Sequence, residues 1–150
     1  MLYAFDKVFV EREWYPVRPT VAIRCRSSEY ARRFRMFEYR ELFLQREYKG
    51  ILSLTFDDIN PARDGKDNKG YVLFDENLAR QIKLFIQENM GKFEDVMVHC
   101  DDGISRSCAV AAALGDYYGW EYDGGIWFRS ERGTNMLVYD TLTRILEQTT

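Results

Sequence analysis

Five residues separate a cysteine, Cys100, from an arginine, Arg106, at a sharp change of pattern. Asp95 to Cys100 is a short β-branched apolar run and predicts a buried strand. Asp101 to Arg106 is polar and holds one glycine, Gly103. From Ser105 the chain reads Ser-Arg-Ser-Cys-Ala-Val-Ala-Ala-Ala-Leu-Gly, which predicts a helix over Arg106–Leu114 ending near Gly115. A loop closing between a strand and a helix N-terminus turns its backbone N–H groups inward and makes an anion cradle. The backbone of Asp101, Asp102, Gly103, Ile104 and Ser105 would bind phosphate, and Arg106 would add a bidentate fork. Cys100 would lie at the bottom of the cradle, where the same field is expected to lower its thiol pKa. A thiolate beneath a bound phosphate is a nucleophile aimed at phosphorus.

The run His99-Cys100-x5-Arg106-Ser107 resembles the phosphate-binding loop of the cysteine-dependent protein tyrosine phosphatase superfamily. Gly103-Ile104-Ser105-Arg106-Ser107 resembles its small dual-specificity-like branch most. Cysteine and arginine at this spacing alone are a weak signal. The histidine before, the glycine within, the serine after and the strand–loop–helix setting make it a specific one. The resemblance implies a phosphomonoester hydrolase, a protein tyrosine or dual-specificity phosphatase, acting through phosphocysteine on Cys100. It implies no metal or other cofactor, and a phosphorylated protein or another phosphomonoester as substrate. It also implies that His99 faces away from phosphate and holds the loop through hydrogen bonds, and that the Ser107 hydroxyl helps the thiolate depart.

The family places a carboxylic acid upstream of the cysteine, after the preceding strand. This acid protonates the leaving oxygen and later takes a proton from water. Asp57-Asp58 stand at that place, at the end of an Ile51–Phe56 run. The position of the strand end favours Asp58 over Asp57, and the alternation does not decide between them; Asp64 and Asp67 rank third. Asp101 and Asp102 are expected to point outward, weakening the local positive field. Some superfamily members protect an oxidised catalytic cysteine by a disulfide to a cysteine in the region of Cys25, which makes Cys25 a possible redox partner. Cys108 is expected to pack in the core. Two other readings stay open. One is a phospho-binding pseudophosphatase. The other is a phosphatase of a phosphoinositide or an RNA 5′-phosphate, which a basic groove of Arg24, Arg26, Arg32 and Arg33 would favour.

The bulk numbers set the frame for these residues. A chain of 150 residues with 46% hydrophobic and 30% charged content suits one globular domain over 1–150. A net charge of −3 gives no sign of nucleic-acid binding. With three cysteines and one histidine, in no paired spacing, a zinc site lacks ligands. The odd cysteine count, with no secretory signal, points to a reducing, cytoplasmic setting. No apolar run approaches membrane-spanning length.

The elements that must position the site follow from patterning. Leu2–Val10 reads as a strand, Glu11–Pro16 as a turn and Thr20–Cys25 as a second strand. Ser27 and Ser28 offer caps for a helix near Glu29–Met36. Arg24 to Arg35 carries five arginines, read as a solvated face or, alternatively, as a basic rim. Glu41–Lys49 has no clear type, and Gly50–Phe56 reads as a third strand. Pro61–Gly70 are loop formers. A helix capped by Asp75 or Asn77 carries Leu78, Ile82, Phe85, Ile86 and Met90 on one face, with Gly91 after its end. Tyr117–Arg132 has no clear path. Thr134 or Asn135 caps a last helix with an apolar stripe of Leu137, Val138, Leu142, Ile145 and Leu146. Alternating strands and helices predict an α/β fold with a largely parallel central sheet flanked by helices. Cys25, Asp57-Asp58 and Cys100 then converge at the carboxyl ends of three strands.

Overall fold

The computed structural model describes residues 1–33, 38–61, 69–123 and 134–149. Four strands, β1 (Leu2–Asp6), β2 (Thr20–Arg26), β3 (Gly50–Thr55) and β4 (Asp95–Cys100), form one all-parallel sheet in the order β1-β4-β2-β3. The helices are α1 (Lys7–Arg12), α2 (Glu29–Arg32), α3 (Glu76–Asn89), α4 (Arg106–Tyr118) and α5 (Met136–Glu147), with a 3-10 turn at Gln45–Glu47. This is the expected single-domain α/β architecture.

Strand alternation divides the core between the two faces of the sheet. Val21, Ile23 and Cys25 of β2, with Val96, Val98 and Cys100 of β4, face the larger cluster, which α3, α4 and α5 cover. Ala22 and Met97 face the opposite cluster, with Val10 of α1, Leu42 and Tyr48. The apolar stripe of α5 buries Val138, Leu142, Ile145 and Leu146, each contributing about 1.5–3 kcal/mol relative to exposure.

Three predicted elements change. The first strand stops at Asp6, because the Asp6 carboxylate accepts the Phe9 N–H at 2.8 Å and caps α1. Val10 is buried on that helix, whereas Val8 is 52% exposed. The helix after the loop runs past Gly115 to Tyr118. A Cβ on Gly115 would stand 2.3 Å from the Tyr122 hydroxyl oxygen, so that glycine serves packing, and Gly119 at φ 72° ends the helix. The arginine-rich segment is not one helix face: Arg24 and Arg26 belong to β2, and α2 is the single turn Glu29–Arg32, capped by Ser28. Arg35, Met36, Asp64, Asp67 and positions 124–133 lie outside the described residues.

Candidate active site

A wholly parallel sheet delivers all its strand C-termini to one edge. β4 ends there at Cys100. Asp6 pairs with Cys100, and Arg24 pairs with His99, so Cys25 follows beside Cys100 on the neighbouring strand. The loop after Cys100 packs on the β1–α1 junction, where the Lys7 N–H donates to the Asp101 carbonyl at 3.3 Å. Gly103 has φ 74°, and a Cβ there would lie 2.7 Å from the Asp6 nitrogen. Only glycine satisfies both the turn and the close approach.

Cys100 is fully buried. Its Sγ accepts the Gly103 N–H at 3.2 Å and lies 3.1 Å from Ser107 Oγ and 3.3 Å from Asp102 Oδ1. Asp102 Oδ1 also accepts the Ile104 N–H at 3.0 Å. Burial pushes the Cys100 thiol up; the Arg106 charge and Ser107 pull it down, and Asp102 pushes it up again. The net direction is upward, which corrects the expectation of a thiol lowered by the cradle. Desolvation of the thiolate and the neighbouring carboxylate outweigh the positive field.

Arg106 opens α4 and is almost wholly buried. Nη1 donates to Ser27 Oγ at 3.0 Å and to the Phe56 carbonyl at 2.8 Å, and Nη2 donates to Asp101 Oδ2 at 2.9 Å. Nε has no hydrogen-bond partner among the described residues. Asp101 therefore turns inward, against the expectation that both loop acids point out. Its Oδ2 accepts the Ser27 hydroxyl at 2.7 Å, and its Oδ1 accepts the Tyr39 hydroxyl. Burial disfavours its charge, but Arg106, Ser27 and Tyr39 together hold its carboxyl below the usual range.

Of the two adjacent acids after β3, Asp57 is buried and spoken for. It accepts the Ser28 N–H at 2.9 Å, the Ser28 hydroxyl at 2.7 Å and the Val72 N–H at 2.8 Å. Asp58 turns to the loop, accepting the Ser105 hydroxyl at 2.7 Å and the Asn135 amide at 2.9 Å. Ser105 thus spends its hydroxyl on Asp58 and leaves the N-terminus of α4 without a side-chain cap. A cavity of ≈ 150 Å³ has Ser27, Asp57, Asp58, Ile59, Tyr71 and Arg106 in its walls. Cys100 is not in that lining.

His99 is buried, and its Nε2 accepts Arg24 Nε–H at 2.9 Å. Nδ1 lies 3.4 Å from the Cys100 carbonyl oxygen. Burial, with the Arg24 charge, lowers its pKa to about 3, so the ring is neutral. Arg24 is itself buried and ion-paired to Glu11 at 3.1 Å, so it is not part of a basic rim. Arg26 and Arg32 lie over the Tyr39 ring, and Arg33 over Tyr30. Cys25 is buried beside Cys100, and burial together with that neighbour pushes its thiol up. The Cys108 thiol donates to the Gly103 carbonyl at 3.4 Å, from a position inside the core.

Ser27, Tyr39 and Asn135 join the site without having been singled out for it by sequence. Ser27 and Asn135 read only as helix caps, and Asn135 does cap α5. Tyr39 carried no signal, being brought in by the chain's return between β2 and β3. Among the described residues, no group of three or more His, Cys, Asp or Glu side chains is gathered to hold a metal ion. No described helix is long and apolar enough to cross a membrane.

No family model and no curated protein matches the chain. Among solved structures, the chain is similar to the crystal structure of a human tyrosine phosphatase-like serine/threonine/tyrosine-interacting protein. The TM-score is 0.49 and the identity 20%, covering 95% of this chain and 78% of that one. At that distance the chemistry has to be judged from the side chains themselves.

Proposed function

We propose that the protein is a phosphomonoester hydrolase, a protein tyrosine or dual-specificity phosphatase of the cysteine-dependent kind, in a reducing, cytoplasmic setting. The observation that carries the reading is Arg106. It is buried, fixed through both terminal nitrogens, and forms part of the wall of a cavity that Asp58 also lines. The loop N–H groups and Arg106 bind the phosphoryl oxygens. Cys100 thiolate attacks phosphorus, the bond to the ester oxygen breaks, and protonated Asp58 gives that oxygen its proton. Water then attacks the phosphocysteine, Asp58 takes its proton, and the S–P bond breaks to return the thiolate. Ser107, 3.1 Å from Sγ, stabilises the departing sulfur.

Hydrolysis of an aryl phosphate across pH, with chelator present, tests this in wild type, Cys100→Ser and Asp58→Asn. Activity that Cys100→Ser abolishes and Asp58→Asn lowers is expected. Undiminished activity in Cys100→Ser would overturn the reading. Cys25 belongs to it as a redox partner. Peroxide converts the Cys100 thiolate to a sulfenic acid, the Cys25 thiol attacks that sulfur, and water leaves. A peptide map of peroxide-treated protein checks for the Cys25–Cys100 disulfide.

A second reading, a phospho-binding pseudophosphatase, is favoured by one feature. Asp101 occupies Arg106 and Asp102 stands against the thiol, so the loop's own carboxylates hold groups that catalysis needs. Vanadate binding without turnover would select it. The phosphoinositide or RNA 5′-phosphate reading loses one of its four arginines with the burial of Arg24.

A further inference from the structure

We propose that Arg24, held by Glu11, is a positioning residue that selects one tautomer of His99 and thereby sets the joint between β4 and the anion loop. The inference starts from what an arginine can do. Its Nε always carries a proton and can only donate. Arg24 Nε lies 2.9 Å from His99 Nε2, so that ring nitrogen must offer its lone pair. The ring proton is then on Nδ1, which lies 3.4 Å from the Cys100 carbonyl oxygen and donates to it. That carbonyl is the last of β4, where the strand becomes the loop.

Arg24 is held at its other end. Nη2 donates to Glu11 Oε2 at 3.1 Å and to the Arg40 carbonyl at 2.6 Å. Glu11 in turn accepts Lys7 Nζ at 3.1 Å and the Arg40 N–H at 3.1 Å. A chain of polar contacts therefore runs from α1 through the sheet to the loop. The charged groups that act on the ring are Arg24 from β2, Asp101 from the loop and Arg106 at the start of α4. With Arg24 gone, the proton is free to move to Nε2. Nδ1 then turns a lone pair on the Cys100 carbonyl, and the joint shifts.

The chain has one histidine, so long-range ¹H–¹⁵N spectra of labelled protein read this ring alone. Wild type is expected to show a single tautomer protonated at Nδ1, with a through-hydrogen-bond coupling between Arg24 Nε and His99 Nε2. A proton on Nε2, or no coupling in well-resolved spectra, would overturn the proposal whether or not any variant folds. Arg24→Gln and Arg24→Met separate donation from bulk and charge. Both lose the charge and the Glu11 pair, but glutamine keeps an N–H where arginine has Nε and methionine places a methyl there. Arg24→Gln should keep the tautomer and Arg24→Met should lose it. Vanadate should bind Arg24→Met about tenfold more weakly than Arg24→Gln, at the lower end of what outer partners of a site contribute. Equal tautomer populations in the two variants would sink the idea. The tautomer readout uses no substrate, so it stands apart from any failure of the phosphatase reading.

Discussion

The loop after β3 and the loop after β4 each carry a pair of aspartates within their first three residues, and the two pairs divide their work in the same way. In each, the first acid is turned in and the second faces the site. Asp57 is satisfied by Ser28 and the Val72 N–H; Asp101 is satisfied by Ser27, Tyr39 and Arg106. The adjacent serines at the end of β2 thus tie down one acid each and brace both loops from between. The second acids face the site: Asp58 holds Ser105 and Asn135, and Asp102 stands over the Cys100 thiol and the Ile104 N–H. A polar doublet at a strand end can serve structure and chemistry together, because successive side chains leave the backbone in different directions.

The strongest test of this division sets Asp58 against Asp57. Asp58→Asn should lower kcat on an aryl phosphate by about 10²–10⁴-fold with little change in the unfolding midpoint. Asp57→Asn should instead destabilise the fold by about 1–3 kcal/mol, through buried donors left unpaired. Equal losses of activity in two equally stable variants would break the comparison. In the other loop, Asp101→Ala should cost about 3–5 kcal/mol in urea unfolding, because it strands the buried Arg106 charge. Asp102→Ala, at an exposed position, should stay within about 0.5 kcal/mol of wild type.

Asp102 sharpens the contrast chemically. Its carboxylate pushes the Cys100 thiol up, so Asp102→Asn should shift the pH midpoint of iodoacetamide alkylation downward. An unchanged or higher midpoint would show that the carboxylate has no hold on the sulfur.

The most gradual effect is the pH dependence of stability. His99 has its pKa lowered to about 3 in the folded chain, against an ordinary value near 6.5 in the unfolded chain. As pH falls below about 6.5 the unfolded chain takes up a proton that the folded chain refuses. Stability should therefore fall by up to about 1.4 kcal/mol per pH unit down to the folded value. Asp101, held below the usual carboxylate range, adds stability above the ordinary carboxylate value that is lost as pH falls further. Urea unfolding at stepped pH should show the first slope vanish in His99→Gln. The second should shrink in Asp101→Asn.

What was legible in the chain was local. Strand, loop and helix around Cys100 could be read because their signals lie within neighbouring residues, and the adjacent Asp57 and Asp58 offered two candidates for an acid after β3. The apolar residues Phe5, Val8 and Val10 hid the change from β1 to α1, although Asp6 carries the cap that makes it. Gly115 looked like a helix end because the Tyr122 hydroxyl that requires a glycine there comes from beyond the helix. The direction of the Cys100 thiol was misread for a related reason. A helix N-terminus and an arginine are visible in sequence, whereas the depth of burial and the carboxylate against the sulfur depend on the folded whole.

The place of β1 in the sheet bears on how the molecule is made. The first strand lies against β4, about two thirds of the way along the chain, so closely that the N-terminal amine donates to the Glu94 carbonyl, 93 positions away. On a ribosome adding about 5–20 residues per second, β1 would wait roughly 5–20 s for its neighbour to be synthesised. Such long-range parallel pairing is slow to form in any setting. Gly103 nests against the backbone of Phe5 and Asp6, so the loop after β4 cannot take its shape until that first strand has docked. Cys100 itself is added only after two thirds of the chain has been made, so the loop around it takes shape late in synthesis.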